Sequence, residues 1–429
     1  MPVLDLNCQR GFAIEVVQML RAAGFEAYWA GGCVRDTLMG RRPKDFDVAT
    51  AATPPAIRKV FGRRKTLEIG AAFGVVAVVG PKSAGTVEVT TFRHDAPYSD
   101  GRHPDAVTFS NAQDDAQRRD FTINGLFYDP LEADEDRRVI DYVGGVDDLK
   151  RRLVRAIGDP RARFAEDKLR LLRAVRFAST FEFALDGATQ AAMRELAGQV
   201  TTVSAERIAQ ELRLLLVDTN RARGVELLRE TGLLAAVFPE AADLTEAEWR
   251  PTPSVLGNLR APSFALALAA LVRGVADRAA ANDGRGGVVE SLARRWKLSN
   301  DERERARWLV EHDTALAEAR TLPWSQLQPL VICDGFEELV DLHEANAIVQ
   351  GRELAEVAHC RALIARPPAE LDPPPLLTGD DLIGHGVPRG KIFKELLERV
   401  RAAQLDGAIS SRQEALELVD RRLAEGHGV

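Results

Sequence analysis

The stretch FEAYWAGGCVRDTLMGRRPKDFDVAT, residues 25–50, decides the fold. Its first part, FEAYWA, reads as a short strand, Gly31-Gly32 as a tight turn, and Cys33, Val34, Asp36 and Leu38 as the start of a helix. A basic turn, Arg41-Arg42-Pro43-Lys44, then leads into Asp45-Phe46-Asp47-Val48, read as a second strand. Side chains alternate along a strand, so Asp45 and Asp47 are expected to converge while Phe46 and Val48 enter the core. Paired carboxylates of this kind suit Mg²⁺, and glycines ahead of a helix N-terminus bring backbone N–H groups close to an anion. A lone D-x-D is usually a solvated edge and a lone Gly-Gly a turn, but the joint arrangement points to a nucleoside triphosphate beside a two-metal centre.

Working outward, residues 12–111 alternate helical patterns with β-rich runs such as VVAVVG (75–80) and TVEVTTFR (86–93), the pattern of a mixed α/β head. After about residue 145 nearly everything reads helical, as in LRLLRAVRFA and RIAQELRLLLV, so the fold class expected is an α/β (α+β) head with a mixed sheet followed by an all-α, multi-domain body. The 429 residues imply two to four domains, placed at 1–145, 146–250 and 251–429. Breaks are expected at 239–263, 281–287 and 367–375, where Pro and Gly cluster. Gly284 with Gly286-Gly287 lacks G-K-[ST] and a preceding strand, which makes it a helix linker and not a phosphate loop.

With 45% hydrophobic and 28% charged residues, no apolar run of membrane-spanning length and no secretory signal pattern, the chain is expected to be cytoplasmic, with no membrane association and no obligate protein partner evident. The cysteines at 8, 33, 333 and 360 form no C-x-x-C pair and read as thiols in a reducing compartment. The net charge of −7 argues against coating nucleic acid with the whole surface. Residues 150–176 nevertheless carry ten Lys or Arg against three acids. Such a run is either a solvated, ion-paired helix face or a phosphate track that includes Arg151, Arg152 and Arg155.

Further segments carry chemistry. Arg118-Arg119-Asp120 heads FTINGL, which reads as a capped helix entry, and Asp167 and Arg170 sit three apart in an apparent helix and so project to one face. Asp167 and Arg170 form either an ordinary ion pair or a base reader: a carboxylate that accepts from an exocyclic amine and a guanidinium that donates to a ring nitrogen would admit cytosine and adenine and reject uracil and guanine. Glu88 in TVEVTTFR is either a third metal-binding carboxylate or an outward strand residue. His312-Asp313 lacks the companion His motif that a metal-dependent phosphohydrolase needs, and no such activity is expected.

Residues 28–50 resemble the signature of the nucleotidyltransferase superfamily in the form used by bacterial-type tRNA CCA-adding enzymes and their poly(A) polymerase relatives. The other segments fit in the same order: RRD with FTINGL, DYVGGVDDL (141–149) as a hinge, EDKLR (166–170) as the EDxxR motif, Arg207 to Glu211 as R-x-x-x-E, and LLTGDDLIGHGVPRGKIFKELLERV near the C-terminus. The resemblance implies an enzyme that adds CCA to the tRNA 3′ end from CTP and ATP with Mg²⁺. Poly(A) addition, a CC-only or A-only activity and an inactive RNA-binding scaffold remain as alternatives. It further implies metal binding by Asp45 and Asp47, and nucleotide contacts from Gly31, Gly32, Arg35, Arg119, Asp120, Asn124, Glu166, Asp167 and Arg170. Support is implied from Arg207 and Glu211, and from Arg102 and Asp105 in a loop within RHDAPYSDGRHPDAVTF (93–109) that switches the pocket from C to A addition. Two departures stand out: Gly125 where the family often has Ala, and IGAAFGVV (69–76) in place of the TGxxHGTV form.

Overall fold

In the computed structural model the described residues are 6–70, 74–95, 107–280, 284–388, 390 and 392–426. They divide into two compact units, Met1–Asp243 with Arg295–Lys297, and Leu244–Arg294 with Leu298–Val429.

The first unit opens with helix α1 (Leu6–Ala22) and a sheet built from β1 (Ala27–Ala30), β2 (Asp47–Thr50), β3 (Thr66–Gly70), β4 (Val75–Val79), β5 (Thr86–Thr91), β8 (Phe127–Tyr128) and β9 (Val139–Ile140); β6 (Arg93–Asp95) and β7 (Val107–Phe109) form a separate ribbon. The strand order is β3-β4-β5-β2-β1-β8-β9. It is a mixed sheet, because β2 and β5 run parallel while the other neighbours are antiparallel. Helices α2 (Gly32–Leu38) and α3 (Pro54–Phe61) follow β1 and β2. In α1, Ala13, Val16, Val17 and Leu20 recur at three and four residues, form one stripe and are completely buried against Val48, Val76, Val78, Val87 and Val89 together with Ile57 and Phe61 of α3. The other face carries Ala49 and Phe127, capped by Ala112 and Ala116 of α4 (Ala112–Gln117).

The sheet is followed by α5 (Gly145–Arg151), α6 (Pro160–Glu166), α7 (Leu169–Thr180), α8 (Gly187–Leu196) and α9 (Ala205–Leu216). The hinge at DYVGGVDDL is held by Asp141, whose carboxylate accepts from the backbone N–H groups of Val143, Gly144, Gly145 and Val146 at 2.8–3.1 Å. Gly145 is required there by close approach: a Cβ would lie 2.2 Å from the Thr122 carbonyl oxygen.

The second unit is helical. In helix Phe264–Ala279 the stretch Phe264–Val272 is buried without a break, and Leu377, Leu382, Val387, Leu396, Val400, Ile409, Ala415 and Val419 make a separate core nearer the C-terminus. The break expected over 239–263 is in fact built of short helices, Glu246–Trp249 and Pro251–Asn258 among them, since Thr245 supplies a capping box and prolines are tolerated in a first turn. Asp313 is buried, with Arg273 and Arg285 on one oxygen and the Asn346 amide on the other, while His312 Nδ1 meets the Trp308 carbonyl at 2.8 Å. The His-Asp pair therefore braces helices.

Candidate active site

Asp47 opens β2 and Asp45 lies two residues ahead of it, outside the strand, which corrects the expectation that both belong to one strand. Phe46 and Val48 are in the core as expected. Parallel register places Glu88 of β5 directly beside Asp47. Burial, then the charges of Asp45 and Glu88, push the Asp47 carboxyl up to about 7, with Arg119 opposing them. Three carboxylates thus crowd one end of the sheet, and Glu88 takes part electrostatically. Among the described residues no group of three or more His, Cys, Asp or Glu side chains is placed to hold a metal ion.

Gly31 has φ 75° and ψ −127°, a conformation that glycine tolerates and other residues resist. A Cβ there would lie 2.8 Å from Arg119 Nη1. The guanidinium of Arg119 can approach this turn only because the position is bare; it is fixed by Asp115 at 2.9 Å and stacks over Phe127. Asp115 is buried; burial opposes its ionisation, but Arg119 and Arg118 hold its carboxyl below the usual carboxylate range. Arg35 is buried, donates to Asn124 Oδ1 at 2.7 Å and Asp36 Oδ1 at 2.7 Å, and lies over Phe181. It braces Asn124 from behind.

The segment after Arg118-Arg119-Asp120 is a single 3-10 turn, Thr122–Asn124, in place of the expected helix entry. Asp120 Oδ1 accepts from the Phe121 N–H and the Asn124 amide, and Oδ2 accepts from Arg173 at 2.7 and 2.9 Å. Burial raises the cost of the Asp120 charge, but Arg173 and the Asn124 amide more than offset it and hold the carboxyl down at about 2.

Asp167 and Arg170 do not share a helix. Asp167 sits in the break between α6 and α7 with φ −138°, and its carboxylate accepts from the Leu169 N–H. The structure separates the pair into two others: Asp167 with Arg207 at 2.8 Å and Arg170 with Glu166 at 2.6 Å. Arg170 also donates to the Arg118 carbonyl at 3.2 Å, tying the EDKLR segment to RRD. Glu211 accepts from Arg176 at 2.6 Å and faces Arg173 at 3.6 Å. Arg173 is thus the residue that joins Asp120 to the helix of Arg207 and Glu211, and the sequence reading passed over it. The signal was present in Arg170, Arg173 and Arg176, which lie three apart and so along one side of α7.

Most of the basic run is neutralised by acids outside it, Arg152 by Glu182, Arg155 by Asp148, Arg161 by Glu195, Arg173 by Asp120 and Arg176 by Glu211, while Arg163 and Arg170 pair with Glu166 inside the run. Arg151 and Arg152 are exposed, whereas Arg155 is half-buried on the fully buried Asp148. Arg102 and Asp105 lie outside the described residues.

Known proteins resemble this chain over nearly all of its length. The model of the poly A polymerase head domain matches residues 27–155, and that of the probable RNA and SrmB-binding site of polymerase A matches residues 182–244. A CCA-adding enzyme of Geobacillus sp. (strain WCH70) is 31% identical over 96% of this chain and 98% of its own, and that of Geobacillus stearothermophilus is 33% identical over 94% and 95%. Among solved structures, the Bacillus stearothermophilus CCA-adding enzyme in complex with CTP superposes with a TM-score of 0.77 at 29% identity, over 97% of this chain and 98% of the other. The Thermotoga maritima CCA-adding enzyme complexed with tRNA shares the fold with a TM-score of 0.67 at 21% identity, over 96% and 95%.

Proposed function

The chain belongs to the CCA-adding family of nucleotidyltransferases, and from that premise we propose that it extends the tRNA 3′ end with C, C and A, using CTP and ATP and releasing pyrophosphate. The observation that carries this reading is the Asp47–Glu88 carboxylate pair, set side by side by strand register, with Arg119 held against the Gly31 turn next to it.

The donor set fits Mg²⁺. Asp45, Asp47 and Glu88 are hard oxygen donors whose mutual repulsion a cation relieves, and Mg²⁺ is commonly held by one or two carboxylates with substrate phosphates and water completing its shell. Bound there, Mg²⁺ neutralises triphosphate charge and makes the attacking 3′-hydroxyl more acidic. The chain's own groups do the rest. Arg119 and the Gly31-Gly32 backbone receive the phosphates; Asp120 and Asn124, locked by Arg173 and Arg35, meet the ribose. Asp167 keeps unused lone pairs after bonding Arg207, so it can still accept from the exocyclic amine of cytosine or adenine. Arg170, anchored by Glu166, donates to the ring nitrogen. Glu211 steadies Arg173 and Arg176 from α9. In this reading residues 1–145 are the catalytic head, 146–250 select the base, 251–429 grip tRNA, and Arg151 and Arg152 contact RNA while Arg155 is a brace.

Incorporation of labelled CTP and ATP into tRNA transcripts ending before the CCA, after C and after CC tests the reading. Addition that stops at CCA is expected. C-only or A-only addition would assign half of a split pair, long A tails on unstructured RNA would assign a poly(A) polymerase, and no incorporation would leave a scaffold.

A further inference from the structure

Four residues lie in one row across the sheet: Asp47 opposite Glu88, Glu88 opposite Ala77, and Ala77 opposite Leu67. Directly paired residues of neighbouring strands point to the same face, so Leu67 shares the face of the catalytic carboxylates, three strands away and about 14 Å off at the usual strand spacing. Ala77 is a short, buried step in this row; Leu67 is 53% exposed and Val75 and Val79, on the same face of β4, are only half-buried. The opposite face of these strands is filled by α1 and α3.

The strand directions add a second observation. β5 is parallel to β2, β4 antiparallel to β5 and β3 antiparallel to β4, so the first residue of β3 emerges at the same end of the sheet as Asp47. The three residues immediately before β3 are Arg63, Arg64 and Lys65, all exposed in one short 3-10 turn. They close a run from Arg58 to Lys65 with five cations and no acid, in which Arg58 pairs with Glu68. A chain with a net charge of −7 therefore concentrates cations at the catalytic end of its sheet, beside an apolar strip.

We propose that Arg63, Arg64, Lys65 and Leu67 form a subsite for the single-stranded end of the RNA primer. The three cations hold phosphates upstream of the terminal nucleotide, and Leu67 underlies a sugar or base while the 3′-hydroxyl reaches Asp45 and Asp47. The occupant is RNA because a 3′ end delivered to those carboxylates must cross adjoining surface, and a cluster of cations beside an apolar platform is how single strands are held irrespective of sequence. This subsite rests on the proposed function and adds to it a place for the primer.

The test is steady-state kinetics on the full chain with two variants, Arg63→Ala/Arg64→Ala/Lys65→Ala and Leu67→Asp, each altering exposed positions only. The triple variant is expected to raise the KM for tRNA about tenfold, with a salt dependence shallower by about two in log–log slope for three lost single-strand phosphate contacts. Leu67→Asp is expected to raise the same KM without that change in slope, and the KM for CTP is expected to stay the same in both. An unchanged KM for tRNA in both variants, or a rise confined to CTP, overturns the subsite. Failure of the wild-type chain to incorporate any nucleotide would instead overturn the proposed function, and filter binding of a short RNA ending in CC to the wild type and both variants then decides the subsite alone: weaker binding by the variants upholds it and equal binding ends it.

Discussion

Asp120 shows how one residue of the proposed ribose contact also carries stability. Its carboxyl is held at about 2 against an ordinary 3.8, so the group is more acidic folded than unfolded. Its stabilising contribution is complete above pH 4 and disappears as pH falls through about 2; a difference of that size corresponds to about 2 kcal/mol. Asp120→Asn should accordingly lower the Tm at pH 7 and approach wild type in acid, as thermal melts from pH 7 to 2.5 would show. A gap as wide at pH 2.5 as at pH 7 would mean that Asp120 matters by packing and not by charge. Asp47 behaves in the opposite sense, because it sits among like charges and gains nothing from ionising in the bare protein. Asp47→Asn should therefore abolish incorporation yet leave the Tm in EDTA equal to or above wild type, and it should erase most of the Tm increase that Mg²⁺ gives the wild type. An equal Mg²⁺ response in both proteins would remove Asp47 from the metal site.

Between elements, the break separating α6 from α7 is where the proposed base reading is set. Asp167 occupies a non-helical position and Arg207 of α9 aims its carboxylate, so two elements 40 residues apart define one hydrogen-bonding edge. Asp167→Ala should relax discrimination against UTP and GTP more than it weakens triphosphate binding. Arg207→Ala should relax it in the same direction but less, because Asp167 stays present and merely loses its orientation. Misincorporation ratios measured with single nucleotides would decide this, and an unaltered preference in both variants would end the idea of a protein template. The sequence made the local elements legible because their signals are local: Gly31-Gly32 marks the turn before α2, and VVAVVG and TVEVTTFR become β4 and β5. What it concealed were partnerships over long separations. Nothing in EDKLR announces that Asp167 pairs with Arg207 and not with Arg170, or that Arg173 belongs to Asp120, 53 residues earlier. The basic run stayed open between two readings for the same reason, since most of its neutralising acids, such as Asp148, Glu182 and Glu195, come from outside it. The departure at Gly125 also means more than sequence implied: a Cβ there would lie 2.7 Å from Val143 Cγ2, so Val143 fills the room that an alanine would need.

Across the whole molecule the two units have separate hydrophobic cores, and the cysteines happen to sample both. Cys33 is buried in the first unit, where burial pushes its thiol up to about 12; Cys360 is buried in the second, where burial pushes its thiol up to about 11. Cys8 is exposed and Cys333 partly so. Only the thiolate reacts, so at neutral pH a thiol reagent should label Cys8 first and Cys333 more slowly, leaving Cys33 and Cys360 protected until their own surroundings open. Pulse labelling along a urea series, with the modified residues identified by mass spectrometry, then follows each core by its own reporter. Separate midpoints for Cys33 and Cys360 are the expected result, because chains with more than one core seldom unfold in a single step. Coincident midpoints would show that the cores unfold cooperatively, and rapid labelling of Cys33 without denaturant would mean that the catalytic sheet opens far more readily than its packing allows.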